Sequence, residues 1–543
     1  MSNGQAERFV DTFKRTTYRT TPSESLNAKS PAQMFLGRKI RTTFDLQKPK
    51  PKQPIILGES STSLGPNLRD LEVFVEYAKF WAHKIGLVVH HKEHYDKKDA
   101  AVIKSFSLFP SPFPRRLFEQ AKKVQTAMNL LYFRVSQDFD FLIETLQPLA
   151  ETTEHIRVWL ELLREVKSEG VHQPINLLLI RSDYMCHVNN GEATEKNDYE
   201  LKQVEVNIGN YGGAGYASHL TQFHRKMMET AGRNVLAGTL PDNGSDEQLA
   251  EALYEAWKLF GDPKAIMLIV ANKYNRTFEM SHIDQILIKL AKNDNHQIQI
   301  VIFSLAECVE RLTLDEDNFS LRLDGQIVGV VHLKTTCFKP TPEQIASRRM
   351  IERSTAIKCP TAAADLASMK KVQQVLAKPG VLERFFPNSD DAELIAALRP
   401  TFAEMWALDK EDEHTKSIIK DATENPMKYV LKPSQEGGGH NFWGEEIGEK
   451  LRTFTKEELA AHILMQRLRP MVGKNYLVHS FRDVKFTATT SELSTFGYLL
   501  GNGRENTVSH NVSKGHMMRT KPEHINEGGV IAGEGVHDSP FLI

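Results

Sequence analysis

KPSQEGGGHNFWGEE, residues 432–446, sets a lysine, a carboxylate, three consecutive glycines and an aromatic side chain within one short segment. Gly437, Gly438 and Gly439 reach backbone dihedrals closed to other residues, so their amide N–H groups can approach an anion closely. Lys432 adds a fixed positive charge, and Glu436 is placed to hold a divalent cation, because hard cations prefer carboxylate oxygen. Trp443 either covers a flat ring or closes the loop. A glycine triplet is also an ordinary solvated turn between a strand and a helix. The strand-like MKYVL that precedes it and the spacing from Lys432 to Glu436 favour a loop that grips nucleotide phosphate.

Working outward, 543 residues exceed one ordinary domain core, so two or more packed subdomains are expected. Apolar residues make up 41% and charged residues 25%, the composition of a globular chain that folds in water. A net charge of -1 gives no electrostatic case for nucleic acid or for an anionic membrane surface. Cys186, Cys308, Cys337 and Cys359 are widely spaced and form neither a metal-ligand nor a disulfide pattern. Together with an N-terminal stretch, MSNGQAERFVDTF, that lacks a basic then apolar signal pattern, and with no apolar run of spanning length, this predicts a cytoplasmic protein.

The proline- and lysine-rich DLQKPKPKQP marks a linker, taken as 51–66. Residues 1–47 ahead of it resemble the tail of a retroelement integrase core, with Glu7 at the carboxylate of an NGxxE segment, or are a disordered extension. Two-metal phosphoryl chemistry needs several carboxylates, so this fragment alone carries no strand-transfer activity.

From Arg69 the pattern is α/β. LRDLEVFVEYAKFWAHKIGLV, RRLFEQAKKVQTAMNLLYFRV and FDFLIETLQPLAE repeat apolar residues at helical spacing. INLLLIR ending at Arg181, AIMLIVA ending at Ala271, QIQIVIFS at 297–304 and IVGVVHL at 327–333 are continuous apolar runs, which suit buried parallel strands. Thr455 and Glu458 form a capping box before LAAHILMQRL, and SELSTFGYLL reads as a further strand.

Two more constellations carry candidate chemistry. LKQVEVN, 201–207, alternates apolar and polar residues, so a strand there presents Gln203, Glu205 and Asn207 on one face: a half-site for Mg2+, or an ordinary half-buried strand. MMRTKPEHINEGGVIAGEG places Arg519 and Lys521 before a second glycine turn at Gly528 and Gly529, an anion site or a surface basic pair.

With RSDYM at 181–185, ERSTAIKCP at 352–360, KKVQQVL at 370–376, HILMQRL and SELSTFG, these segments occur in the order and spacing of the eukaryotic glutathione synthetase family, part of the ATP-grasp superfamily. The resemblance covers about residues 67–543. It implies an α/β ATP-grasp fold with an inserted parallel α/β substrate-binding domain at 265–369, a body formed by 67–264 and 370–543, and a glycine-rich lid. It also implies ATP as co-substrate, two Mg2+ ions held by Glu205, Asn207 and Glu436, and phosphate contacts from Lys370 and Lys432. Gly437, Gly438, Gly439, Asn441, Trp443, Met465, Arg467, Glu492, Lys521 and Glu527 stand at nucleotide positions, with Arg467, Trp443 and Glu527 replacing a family lysine, tyrosine and aspartate.

The implied reaction is ligation of γ-glutamylcysteine and glycine through an acyl phosphate, by a homodimeric enzyme that binds neither membrane nor, over 67–543, nucleic acid. Catalytic roles fall to Arg181, Lys432 and Arg519, and substrate contacts to Arg181, Lys334, Arg519, Val530 and Ile531. The dipeptide side departs from the family. IGNYGG at 208–213 is shorter than the corresponding family segment and lacks its serines, YNRTFEM at 274–280 puts Tyr274 and Met280 where an acid and a glutamine are expected, and KTTCF begins with Lys334 in place of arginine. Loss of several charge-assisted hydrogen bonds, each worth roughly 1–3 kcal/mol, opens two alternatives: a related ligase with altered substrates, or a non-catalytic ATP-binding homologue.

Overall fold

The computed structural model describes residues 68–91, 94, 99–188, 198–209, 211–233, 235–271, 278–334, 339–434, 440–527, 530 and 533–543. The integrase-like segment, Glu436, the glycines 437–439 and 528–529, Tyr274, Cys337 and Ile531 lie outside the described residues. By contacts the chain divides into a large unit, 61–225 with 236–543, and a small one, 1–60 with 226–235. Of the small unit, the described part is the C-terminal end of one helix and the residues that follow it.

Within the large unit, strand β1 (Phe106–Ser107) precedes helices α1 (Arg115–Gln137), α2 (Phe139–Ala150) and α3 (Glu154–Glu169). Strands β2 (Ile175–His187) and β3 (Glu200–Ile208) follow, then α4 (Ala214–Thr230), which runs on into the small unit, and α5 (Ser245–Phe260). A second sheet comes next, with β4 (Ile266–Val270), helix α6 (Phe278–Asn293), β5 (Ile300–Phe303), β6 (Gln326–Leu333) and β7 (Ile357–Cys359). Short helices α7 (Ala362–Ala367) and α8 (Lys370–Leu376) lead to a third sheet of β8 (Met405–Ala407), β9 (Tyr429–Pro433), β10 (Phe442–Trp443) and β11 (His462–Gln466). The chain then returns to the first sheet with β12 (Val472–Val478), β13 (Lys485–Asn502), β14 (Thr507–Val512), β15 (His516–Pro522) and β16 (Val536–Asp538).

The first, central sheet runs β12-β1-β16-β15-β13-β2-β3, with β14 on the far end of β13. Because β12 also pairs with β13, from Val472↔Thr490 to Leu477↔Lys485, strands β12, β1, β16, β15 and β13 form a closed ring. The second sheet joins β5, β4, β6 and β7 in parallel. The third is antiparallel in the order β8-β11-β9-β10. The architecture is the mixed α/β build expected from the sequence. Among the described residues no helix is long and apolar enough to cross a membrane.

Alternation along β2 explains its unbroken apolar run. Leu178 and Ile180 enter a core with Met128, Tyr132 and Trp159 from α1 and α3, whereas Leu177 and Leu179 enter a second core with Leu253 and Trp257 of α5 and Met267 of β4. The run therefore signals burial on both faces. Its neighbours β3 and β13 are nevertheless antiparallel, which corrects the expectation of a parallel strand at INLLLIR; β4, β5 and β6 are parallel as expected. LAAHILMQRL also divides. The capping box at Thr455 and Glu458 starts a helix of only Lys456–Ala460, and β11 follows because His462–Gln466 pairs with β8 and β9.

Candidate active site on the central sheet

The site continues the second face of β2. Residues 177 and 179 are apolar, and the next two on that face are Arg181 and Asp183. Antiparallel register sets Asn207 opposite Arg181 and Glu205 opposite Asp183 on β3, with Ser494 of β13 opposite Asp183 on the other side. Glu492, two residues from Ser494, pairs with Arg519 of β15. Four strands thus bring two arginines, three carboxylates and an amide to one patch of one sheet face.

The expectation that Gln203 shares this face is corrected. A bulge between Asp183 and Tyr184 pairs Tyr184 with Gln203, which shifts the alternation of β3 by one residue. Gln203 turns to the α1 side, accepting from Gln373 Nε2 at 2.9 Å and donating to Met128 Sδ at 3.6 Å. Glu205 and Asn207 stay on the site face.

Charge organises the patch. Glu205 Oε2 lies 3.1 Å from Lys370 Nζ and its Oε1 is 4.0 Å from Arg181 Nη2. Burial pushes its pKa up, but Lys370, Arg519, Lys432 and Arg181 together outweigh burial and hold it well below the usual carboxylate range. Arg519 Nη2 donates to Asp183 Oδ2 at 2.8 Å and to Glu492 Oε1. Burial opposes its charge, and Asp183, Glu492 and Glu205 raise its pKa regardless. Its Nε–H is buried without a hydrogen-bond partner among the described residues. Glu492 is shifted upward, first by burial and then by Asp183 and Glu205, against the pull of Arg519.

The third sheet supplies the opposite wall. Lys432 on β9 is 8% exposed, and burial first and Lys370 second push its pKa down to about 8, with Glu205, Glu492 and Glu527 opposing. Val430 registers with both Trp443 of β10 and Met465 of β11, so these three side chains share one face of the third sheet. Arg467 sets its guanidinium 5.5 Å from the Trp443 ring centre, a cation–π distance, while the indole N–H finds no acceptor among the described residues. Asn441 N donates to Glu527 Oε1 at 2.9 Å, and Lys521 Nζ to the Ile525 carbonyl. Val530 is half-buried in the segment beyond them.

Lys334 sits apart from this patch. Its Nζ meets Glu279 Oε2 at 3.1 Å, and Glu279 Oε1 accepts from the N–H groups of Gly213 and Gly215 at 2.7 and 3.2 Å. Gly213 has φ +97°, a conformation that side chains rarely adopt, and a Cβ there would come within 2.6 Å of Met517 Sδ. Met280 points away, 2% exposed in the core with Tyr211 and Ile283. Arg181 Nη1 reaches the Gly212 carbonyl at 3.5 Å, which joins this turn to the charged patch.

Three contributors were not singled out from sequence. Asp183 and Ser494 lie inside quoted segments, RSDYM and SELSTFG, and the two-residue spacing from Arg181 was the available signal for Asp183. Glu279 lies inside the quoted YNRTFEM, but its role depends on a turn 64 to 66 residues earlier in the chain, which that segment alone does not show.

For a divalent cation, the donor chemistry fits. Glu205 offers carboxylate oxygen and Asn207 an amide oxygen, both hard donors. Among the described residues no group of three or more His, Cys, Asp or Glu converges as a metal site, so these two are the described part of the set.

A central sheet that presents buried acids and arginines to one lysine from a separate antiparallel sheet, Lys432, and one from the start of α8, Lys370, defines an ATP-dependent ligase of the ATP-grasp build. The family model for the eukaryotic glutathione synthase ATP binding domain matches residues 69–542, and the chain belongs to that family. It is 36% identical over 444 residues to glutathione synthetase of Bos taurus, covering 81% of this chain and 90% of that protein. With glutathione synthetase of Homo sapiens it shares 33% over 491 residues, 89% of this chain and 100% of that one. Among solved structures, a glutathione synthetase-like effector from Globodera pallida in its apo form superposes with a TM-score of 0.71 at 32% identity, covering 89% of this chain and 99% of that one.

Proposed function

We propose that this chain joins γ-glutamylcysteine to glycine at the expense of ATP, with the charged patch on the central sheet as the reaction site. The observation that carries the reading is the convergence of Glu205, Lys370, Arg519 and Arg181 on that face, with Lys432 near enough to share their field. A carboxylate repels nucleophiles through its own charge. Its oxygen attacks the γ-phosphorus of ATP, the bond to ADP breaks, and the acyl phosphate then carries a leaving group that the amine of the second substrate displaces as phosphate. Lys370 and Lys432 offset phosphate charge, and they do so in a partly dry site where each charge acts strongly.

Arg519, whose Nε–H has no partner among the described residues, and Arg181 orient the reacting carboxylate. Trp443, Met465 and Arg467 hold the base, and Asn441, Glu492, Lys521 and Glu527 frame the nucleotide. Glu205, Asn207 and Glu436 would hold Mg2+, two ions by the family's pattern, which when bound supplies charge neutralisation at the phosphate oxygens. Gly437, Gly438 and Gly439 act as the lid that keeps water from the acyl phosphate. Residues 265–369 form the substrate-binding domain against a body of 67–264 and 370–543, and the working form is a cytoplasmic homodimer.

Phosphate release from ATP, measured with γ-glutamylcysteine and glycine singly and together, tests this reading. Release that needs both, with glutathione found by mass spectrometry, is the expected result, and Glu436→Ala abolishes it. No release with both substrates present sinks the reading.

A second reading has its own observation: the closed Lys334–Glu279 pair, with Met280 in the core, leaves the dipeptide side without the acid and glutamine that the family resemblance implies. A ligase of the same build with another carboxylate donor or another amine fits that arrangement. Phosphate release with other pairs, and none with γ-glutamylcysteine, would favour it.

A further inference from the structure

We propose that Asp183 is the positioning residue of this site: it sets the directions of Arg181 and Arg519, and it fixes which atom of Asn207 faces a divalent cation. The proposal deepens the metal and substrate assignments above and rests on them.

Asp183 is 0% exposed, and its two oxygens are saturated. Oδ1 accepts from Ser494 Oγ at 2.6 Å and Arg181 Nε at 3.0 Å; Oδ2 accepts from Arg181 Nη2 at 2.9 Å, Arg519 Nη2 at 2.8 Å and Asn207 Nδ2 at 3.2 Å. A carboxylate has about four lone-pair sites, so none remains for a ligand. Asp183 therefore acts through its partners.

The consequence for Asn207 is a choice of face. Its Nδ2 donates to Asp183 Oδ2 at 3.2 Å and to Glu205 Oε1 at 3.3 Å. The reverse amide orientation sets Oδ1 against two carboxylate oxygens at those distances, which is repulsive. The amide nitrogen stays with the two acids, and Oδ1, the only hard donor asparagine has, is turned outward. Metal ligands are commonly oriented by a hydrogen-bonded carboxylate of this kind, whose loss weakens metal binding 10- to 100-fold. The same carboxylate grips Arg181 in a two-point fork, so the cation side and the carboxylate-binding side share one anchor.

The test measures cation binding without turnover. Mn2+ is titrated in the presence of adenylyl imidodiphosphate, a non-hydrolysable ATP analogue, and free Mn2+ is read by electron paramagnetic resonance. Asp183→Asn is expected to weaken Mn2+ binding roughly 10-fold or more and to raise the KM of the carboxylate substrate. Should that variant fail to fold, Asn207→Asp decides the question: it adds a charged ligand, yet it sets that charge against Asp183 and Glu205, so Mn2+ binding falls. The swap Asp183→Asn with Asn207→Asp restores part of the loss, because the new amide donates to the new acid. Wild-type affinity in Asp183→Asn, or unchanged or tighter Mn2+ binding in Asn207→Asp, overturns the proposal while leaving the metal assignment standing. No Mn2+ binding by the wild-type chain overturns both.

Discussion

At the scale of single residues, the site is a set of charges held against the preference of buried groups for neutrality. Lys432 shows the consequence for pH. With its pKa pushed down to about 8, its ammonium is charged below that value and lost as the pH rises through it. The kcat/KM for ATP is therefore expected to fall above about pH 8, and Lys432→Arg, whose guanidinium keeps its proton, moves that fall to higher pH. A profile identical in both proteins would remove Lys432 from the phosphate site. His332 has the opposite bearing on stability. It is 1% exposed, and burial first and Lys334 second lower its pKa to about 4, so the folded state keeps it neutral where the unfolded chain protonates it. Stability present above the unfolded value near 6.5 is lost as the pH falls toward about 4, by an amount on the order of 3 kcal/mol. Thermal melts at pH 7 and pH 4.5 in wild type and His332→Asn measure it, and the variant should show the shallower acid slope.

At the scale of elements, much of the architecture was legible because apolar periodicity reports burial directly. The helices at Arg115–Gln137 and Phe139–Ala150 and the parallel strands Ile266–Val270 and Gln326–Leu333 follow the pattern of their sequences. Pairing direction was not legible in β2, since an antiparallel strand buried on both faces has the same apolar run as a parallel one. Nor was the bulge that turned Gln203 away, because a register shift belongs to two strands at once and neither shows it alone. Within the site, Glu205, Asn207, Lys432 and Arg519 were recognisable by type and spacing, and Lys370 only through the family resemblance. Asp183 and Glu279 owe their importance to what surrounds them. Packing between elements is equally specific at Gly497 of β13, where an added Cβ would lie 2.6 Å from Nδ2 and Oδ1 of Asn129 and 2.8 Å from Gln125 Cγ, both on α1. Those two side chains are committed, Gln125 to Asn129 and Thr495, and Asn129 to Asn511. Gly497→Ala is expected to cost about 1–3 kcal/mol by urea denaturation, and a loss under about 0.5 kcal/mol would show that α1 yields easily.

At the scale of the whole molecule, chemistry and closure depend on distant parts of the chain. Arg181 and Arg519 meet on Asp183, and β1 near residue 106 is tied to β16 at His537. The backbone of Leu542 donates to the Thr239 carbonyl, and Ile543 N to Phe113 O, and residues 540–542 pair in parallel with 111–113, so the last described residues are tied into the fold. Deletion of residues 536–543 is therefore expected to yield an insoluble or molten chain, by circular dichroism and size-exclusion chromatography; a folded, monodisperse product would refute this. The homodimer assignment is tested separately by sedimentation velocity at micromolar concentration, where a monomer is the contrary result. The five-stranded ring has one more implication, which concerns time. Its members come from residues 106–107 and 472–538, so a chain emerging from the ribosome displays β1, and beside the ring β2 and β3 with their acids, long before the strands that close the ring exist. The edge of β2 that β13 covers stays open until residues 485–502 have been made.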